Sequence, residues 1–200
     1  VKNPEVIYWS YSQSQQKVWN ELEKARVEFG EKPQKSSEPD LIVKSDDVLF
    51  FIEVKLTASN ETTPSNPNEF KRYLTGGNNW YDVVFRSDYQ TIAIKEKKYE
   101  LLRFWLLGTW MAKQQDLDFY LLNLVRKDEK KEEKNIGSEF GECIKQNENR
   151  KFMRVTWEDI YKYISATDML GEDKDKILGY FRNKTIGYPR NGELQKAFSI

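Results

Sequence analysis

The chain has 200 residues, and its 32 lysines and arginines are balanced by 32 aspartates and glutamates, so it lacks the overall basic field that attracts nucleic acid by itself. Histidine is absent, which excludes Ser–His and Cys–His nucleophilic pairs and histidine zinc ligands. The single cysteine, Cys143, excludes an internal disulfide, a four-thiolate zinc site and an iron–sulfur cluster. Acid–base chemistry must therefore rest on Asp, Glu, Lys or Tyr, together with a hard metal ion.

The first predicted elements are a helix and a β-hairpin. Apolar residues recur at helical spacing over residues 12–29, and Gly30 closes that segment. Residues 41–43 and 48–56 are rich in Val, Ile and Phe, which predicts two strands. The polar residues between these runs, centred on Asp46 and Asp47, predict the turn of a hairpin.

The next segment, residues 57–79, is rich in Thr, Ser, Asn, Pro and Gly, which predicts a binding loop or a mobile lid. The mixed charges at 126–134 predict a solvated turn rather than a phosphate-binding loop. The remaining predictions are strands at 81–85, 90–94, 118–125 and 152–155, and helices at 96–114, from Thr156, and at about 172–183.

This order of elements predicts an α/β fold, with a mixed β-sheet that has helices packed on its faces. We expect one domain over residues 1–200, with a core at about 12–125 and a C-terminal strand and helices, about 150–200, packed on it. The longest apolar run, residues 101–112, is too short to span a bilayer. No secretory signal is visible, so we expect a soluble cytoplasmic protein.

The hairpin places two carboxylates together. If pairing is symmetric about the turn, the numbers of paired residues sum to 93, and Asp40 lies opposite Glu53 with the Cβ atoms roughly 5 Å apart. Lys55, two residues on, shares that face. The surrounding strand is apolar on both sides, which is typical of a buried strand. A divalent cation would offset the repulsion between two buried carboxylates. The alternative is a surface hairpin in which Glu53 simply pairs with a lysine.

The motif Pro39-Asp40, followed by Glu53-Val54-Lys55, resembles that of the PD-(D/E)XK nuclease superfamily, which has the restriction-endonuclease-like fold. The resemblance implies a mixed central sheet flanked by helices, and hydrolysis of DNA phosphodiester bonds with Mg²⁺, or Mn²⁺ as a substitute. It implies that Asp40, Glu53 and the Val54 carbonyl bind the metal. Lys55 would orient or activate the attacking water and stabilise charge on the phosphate.

Many members of this superfamily carry a further acidic ligand on the first helix. The sequence has Gln15 at the expected position, and Glu21 flanks the apolar face of the predicted helix. Either residue is a candidate additional metal ligand, although a surface position is the favoured interpretation for both. The absence of an acid at Gln15 leaves the number of bound metal ions, one or two, open.

Four residues beyond the motif are candidate nucleic-acid contacts: Lys71, Arg72, Asn78 and Asn79. The alternative is an ordinary ordered crossover. The apolar helix at 96–114 is expected in the core, with a homodimer interface as the alternative. DNA is the expected partner, ahead of RNA. Two rival hypotheses remain: a catalytically inactive nuclease-like fold that binds nucleic acid or protein, and an interaction protein whose Trp-rich helix is the functional surface.

Overall fold

The computed structural model describes residues 3–32, 37–127, 136–168, 171–187 and 195–200. Within these ranges seven strands form one open sheet in the order β3-β2-β1-β4-β5-β6-β7. The strands are β1 (Glu5–Tyr8), β2 (Tyr11–Ser12), β3 (Lys17–Val18), β4 (Leu41–Lys44), β5 (Val48–Lys55), β6 (Asp118–Val125) and β7 (Arg150–Thr156). Strands β1 to β5 pair antiparallel, whereas β5, β6 and β7 are parallel. The chain therefore has an α/β fold with a mixed sheet, as the sequence predicted.

The α-helices are α1 (Glu21–Glu28), α2 (Lys71–Val84), α3 (Tyr99–Gln114), α4 (Ile136–Cys143), α5 (Trp157–Ala166) and α6 (Asp173–Asn183). A 3-10 helix, Pro67–Phe70, precedes α2, and a π-helix, Gln90–Lys95, precedes α3. The 3-10 helix, α2, the π-helix and α3 lie between β5 and β6 in the chain. They form the long crossover connection that two adjacent parallel strands need. Within the described ranges no helix is both long enough and apolar enough to cross a membrane.

Helix α3 lies at the centre of the main core. Nearly every side chain from Leu101 to Ala112 is buried, and Trp105 packs edge-on against Phe119 of β6. The core interpretation of this helix is therefore confirmed, and its buried side chains are not available for an interface with a second copy. A smaller cluster, formed by Phe181, Ala197 and Phe198 with residues of α5, packs at the C-terminal end.

Several predicted elements are confirmed with small shifts in their ends. The predicted hairpin is β4–β5, and the strands at 118–125 and 152–155 are β6 and β7. Thr156 caps α5 through a reciprocal capping box with Asp159. The helix predicted at 172–183 is α6. Most of the charged run at 126–134 lies outside the described residues.

The helix predicted over 12–29 is wrong in its first half. Residues 11–18 form the β2–β3 hairpin, and the helix occupies only Glu21–Glu28. Val18, which the helical pattern counted as apolar and inward, is 61% exposed and pairs with Tyr11. The pairing of β2 with β1 therefore outweighs the helical spacing of the apolar residues in this segment. Apolar spacing over so short a stretch does not distinguish a helix from a strand.

The strands predicted at 81–85 and 90–94 are also wrong. The first segment is the end of α2, where Tyr81, Val84 and Phe85 are buried at spacings of three and four residues. The second is the π-helix Gln90–Lys95, which buries Ile92 and Ala93. The loop predicted at 57–79 is correct only up to the 3-10 helix, because α2 begins at Lys71.

Candidate functional site

The register of the β4–β5 hairpin is the one that the sequence predicted. Leu41 pairs with Ile52 and Lys44 with Leu49, so the numbers of paired residues sum to 93. The Ser45 N–H donates to the Val48 carbonyl at 2.8 Å, which makes that pair a hydrogen-bonded one. The ladder ends at Leu41 and Ile52, and Asp40 directly precedes Leu41. Continued by one residue, the register sets Asp40 opposite Glu53 at a non-hydrogen-bonded position, where opposing side chains lie closest together.

The proline before Asp40 changes the ladder at this point. If the register is continued past Leu41, Pro39 falls opposite Val54, and proline has no N–H to donate to the Val54 carbonyl. The Val54 N–H instead donates to Oδ2 of Asp40 at 2.7 Å. Since the N–H and C=O of a strand residue point the same way, the Val54 carbonyl is directed towards the Asp40 side of β5. The Pro-Asp pair thus leaves a backbone oxygen beside two carboxylates.

Glu53 is 4% exposed, and it lies at the end of a strand whose same-face residues, Leu49 and Phe51, belong to the main core. Its carboxylate forms a short ion pair with the Lys55 ammonium. Burial, together with the nearby carboxylates of Asp40 and Glu100, raises the pKa of Glu53 to about 7 against the opposing effect of Lys55. Without a cation, the ionised form of Glu53 is therefore disfavoured.

Glu100, in the first turn of α3, supplies a third carboxylate. Its Oε2 lies 3.3 Å from Nζ of Lys55, so the ammonium is held between Glu53 and Glu100. Although burial lowers the pKa of Lys55, the hydrogen bonds and charges of the two glutamates outweigh that effect and raise it. The Lys55 amine therefore remains protonated in this arrangement, which suits charge stabilisation rather than general-base chemistry.

On the other side of Glu53, the parallel ladder places Asn123 of β6 as its partner. Asn123 is buried, and its amide exchanges hydrogen bonds with the Asn60 amide at 2.7 and 3.0 Å. Sequence analysis missed both Asn123 and Glu100. A signal existed for Asn123, which interrupts the apolar run of β6, and for Glu100, which is an acid at the start of an apolar helix.

The donor set fits a hard divalent cation. Glu53 and Glu100 share the Lys55 ammonium, and Asp40 lies close enough to raise the pKa of Glu53, so three carboxylates and one ammonium leave a formal charge of −2. Within the described ranges no three Asp, Glu, Cys or His residues are grouped as a ready-made metal site. Mg²⁺ does not require such a group, because it is usually held by one or two carboxylates and retains several waters. Asp40, Glu53 and the Val54 carbonyl would supply the protein oxygens.

Neither candidate for an additional ligand joins this group. Gln15 lies in the β2–β3 turn, where the Gln13 N–H bonds to the Val6 carbonyl, towards the end of the sheet opposite to Asp40. Its expected place on the first helix is therefore wrong. Glu21 does open α1, but its described side-chain contact is an ion pair with Lys24 at 2.8 Å.

The four candidate nucleic-acid contacts separate into two pairs. Lys71 and Arg72 line a cavity of about 780 Å³ that Glu100 also lines, so they adjoin the site. Asn78 and Asn79 lie at a left-handed kink in α2, beside the Gly77 that packs closely against Trp110. Trp110 is three turns of α3, or roughly 15 Å, beyond Glu100. The structure therefore does not bring these two asparagines to the carboxylates.

Comparison with known proteins adds no assignment to this geometry. No protein-family model, curated protein or solved structure gives a significant match to the chain.

Proposed function

We propose that this chain is a Mg²⁺-dependent nuclease of the PD-(D/E)XK type, with the restriction-endonuclease-like fold, that hydrolyses phosphodiester bonds of DNA. The observation that supports the proposal is the hairpin register, which, continued one pair beyond Leu41 and Ile52, sets Asp40 opposite Glu53, whose carboxylate pairs with Lys55. Two opposed carboxylates, Glu53 buried and Asp40 half-buried, destabilise a ladder unless a cation offsets them. Such an arrangement is unfavourable for structure alone and favourable for binding a metal.

The chain's own residues divide the work as follows. Asp40, Glu53 and the Val54 carbonyl hold the cation at the end of β5. When bound, Mg²⁺ would supply Lewis-acid catalysis and lower the pKa of a water molecule. Lys55, whose ammonium is kept charged and oriented by Glu53 and Glu100, stabilises negative charge that develops on the phosphate. Lys71 and Arg72 in the adjoining cavity contact neighbouring phosphates.

The proposal is tested by incubating the protein with linear duplex, supercoiled, single-stranded and branched DNA in Mg²⁺, Mn²⁺ or EDTA. We expect cleavage with either metal, none in EDTA, and none with Lys55→Ala. Lys113→Ala is the matched control, because Lys113 is an exposed lysine at the far end of α3. Cleavage by Lys55→Ala at the rate of Lys113→Ala would remove Lys55 from the site.

One observation favours a second function. Gln15, at the position where the resemblance implies a further acidic ligand, is an amide that lies in the β2–β3 turn away from Asp40, which is the pattern expected of a nuclease-like fold that only binds nucleic acid or protein. Calorimetric titration with Mg²⁺ separates the two functions. Binding that is lost in Asp40→Asn supports the nuclease, whereas no binding together with no cleavage of any DNA or RNA supports the binding module.

A further inference from the structure

The turn between β1 and β2 carries a strained, exposed tryptophan. Trp9 and Ser10 form this two-residue turn with φ angles of +48° and +53°. Turns of this kind strongly prefer Asn-Gly or similar pairs, because larger residues are disfavoured at positive φ. Strain of this kind at a bulky residue is typically retained where the residue has a function.

The Trp9 ring is 71% exposed, and it stacks on the ring of Tyr8 with the centroids 5.1 Å apart and the planes 12° from parallel. Tyr8 is itself about half exposed. Such a pair presents a flat aromatic surface to solvent. Because the two rings already stack on each other, they lose little further side-chain freedom when a ligand stacks on them. Flat aromatic surfaces of this type are where the bases of single-stranded nucleic acids stack.

The turn that carries this aromatic pair lies at the same end of the sheet as Asp40, while Tyr8 projects from the sheet face opposite to that of the buried Ile7, Ile42 and Glu53. Ile7 pairs with Ile42, so Tyr8 and the turn after it reach the start of β4, next to Asp40. The Ser10 hydroxyl donates to Oε2 of Glu38 at 2.7 Å, which ties the turn to the segment that carries Asp40. The turn is therefore fixed beside that segment, and a single chain bound at the carboxylates would reach the aromatic pair by passing over the ends of the strands.

The cavity, whose lining includes Glu69 and Glu100 as well as lysines and arginines, adjoins the same segment. Ser37, the residue before Glu38, lines it together with Lys32, Lys71 and Arg72, and Lys71 is exposed. A volume of about 780 Å³ lies within the range of pockets that enclose one small ligand. Such a space accommodates a nucleotide or two of a single chain rather than a base-paired segment.

We propose that the substrate is single-stranded DNA, or a single-stranded extension of a duplex, whose bases stack on Tyr8 and Trp9 and whose phosphates enter the cavity past Lys71. The inference rests on the proposed nuclease function and deepens it by naming the substrate class. Positive charge along the backbone path, combined with aromatic stacking, is how proteins bind single-stranded nucleic acid.

The experiment measures fluorescence anisotropy of a labelled 12-nucleotide single-stranded DNA and of a closed-hairpin duplex, both in EDTA so that no cleavage occurs. We expect the single-stranded DNA to bind more tightly than the duplex. Trp9→Ala should weaken binding about tenfold, since each base–aromatic stack contributes about 1–3 kcal/mol, and Trp9→Phe should restore most of it.

The dependence on salt distinguishes the two contacts. Lys71→Ala should reduce the slope of log K against log salt by about 0.7, because one phosphate contact is lost, whereas Trp9→Ala should leave that slope unchanged. Tyr163→Ala, which removes a 68% exposed aromatic ring on α5, and Lys113→Ala are the matched controls. Both should bind within about twofold of wild type.

Two results would overturn the inference: a duplex that binds as tightly as the single-stranded DNA, or a Trp9→Ala affinity equal to that of Tyr163→Ala. Failure of the nuclease proposal gives a different pattern. Tight single-stranded binding that depends on Trp9, without cleavage in any metal, rejects the nuclease and keeps the surface. Cleavage of duplex without binding of single-stranded DNA rejects the surface and keeps the nuclease.

Discussion

Two buried glutamates, Glu31 and Glu53, have different charged neighbours in this fold. Both side chains are 4% exposed. Helix α3 contributes Arg103 to the cluster around Glu31 and Glu100 to the cluster around Glu53. Glu31 receives two hydrogen bonds from the Arg103 guanidinium, at 2.7 and 2.5 Å, and one from the Tyr73 hydroxyl at 3.0 Å. Its cluster is therefore hydrogen-bonded as a buried charge requires.

The charges in the two clusters explain the difference. Around Glu31 the carboxylates of Glu31 and Glu38 are balanced by Arg26 and Arg103, and the carboxylate of Glu31 raises the pKa of Arg103. Around Glu53, the single ammonium of Lys55 pairs with Glu53 and Glu100, and the carboxylate of Asp40 lies near Glu53 with no cation of its own in contact among the described residues. The balanced cluster around Glu31 needs no further partner to stabilise the fold, whereas the excess negative charge around Glu53 is the reason we propose a cation there.

Glu53→Gln should have the largest effect on activity and little effect on stability. The amide keeps the shape of the side chain and removes a buried charge, so the free energy of unfolding in EDTA should be unchanged or higher. Cleavage should fall about a thousandfold, which corresponds to about 4 kcal/mol of lost transition-state stabilisation. Urea unfolding and initial cleavage rates measure the two effects. A variant that is both active and destabilised would reverse the assignment of this cluster.

The same chemical change at the other cluster, Glu31→Gln, should have the opposite outcome. It leaves the buried Arg103 guanidinium without its carboxylate, and breaking a buried ion pair typically destabilises a protein by about 3–5 kcal/mol. Urea unfolding should show this loss. Cleavage by the folded fraction, measured well below the unfolding temperature, should stay close to wild type. Equal stability of Glu31→Gln and Glu53→Gln would show that the clusters do not differ as described.

The hairpin was predictable because its determinants are local. Two short apolar runs, a polar turn and the alternation of side chains are enough to set the register from Asp40 to Glu53. Gln15 was misplaced because local periodicity cannot show that β1 recruits residues 11–18 into the sheet. Tertiary pairing decided that segment.

The partners brought by α3 could not be predicted, because they are remote in the chain. Glu100 is 45 residues from Lys55, and Arg103 is 72 residues from Glu31. Which side of an almost wholly buried helix faces which cluster depends on how α3 crosses the sheet, and its apolar sequence carries little information on that point. The hairpin register that brings Asp40 close to Glu53 was therefore predictable from the sequence, whereas the residues that α3 places around each glutamate were not.

Mg²⁺ should stabilise the folded protein by binding at the Glu53 cluster and not at the Glu31 cluster, which tests the difference between the two. At a concentration one hundred times its dissociation constant, a ligand that binds only the folded state raises the free energy of unfolding by about 2.7 kcal/mol. We expect such a rise, measured by urea unfolding with Mg²⁺ against EDTA, in wild type and in Tyr73→Phe. It should be absent in Asp40→Asn/Glu53→Gln. An equal rise in that double variant would place the cation elsewhere.

Tyr73→Phe should produce the smallest effect, and it tests whether the Glu31 cluster is purely structural. The substitution removes the hydroxyl that donates to Glu31 and contacts the Tyr99 hydroxyl at 2.8 Å, while it keeps the ring that stacks on Tyr89. Because Arg103 still binds both carboxylate oxygens, we expect a loss of about 1 kcal/mol in the free energy of unfolding, the usual worth of one hydrogen bond. Cleavage rates should be unchanged. A fall in cleavage with unchanged stability would mean instead that Tyr73, next to Arg72 in the cavity wall, acts on the substrate rather than on the fold.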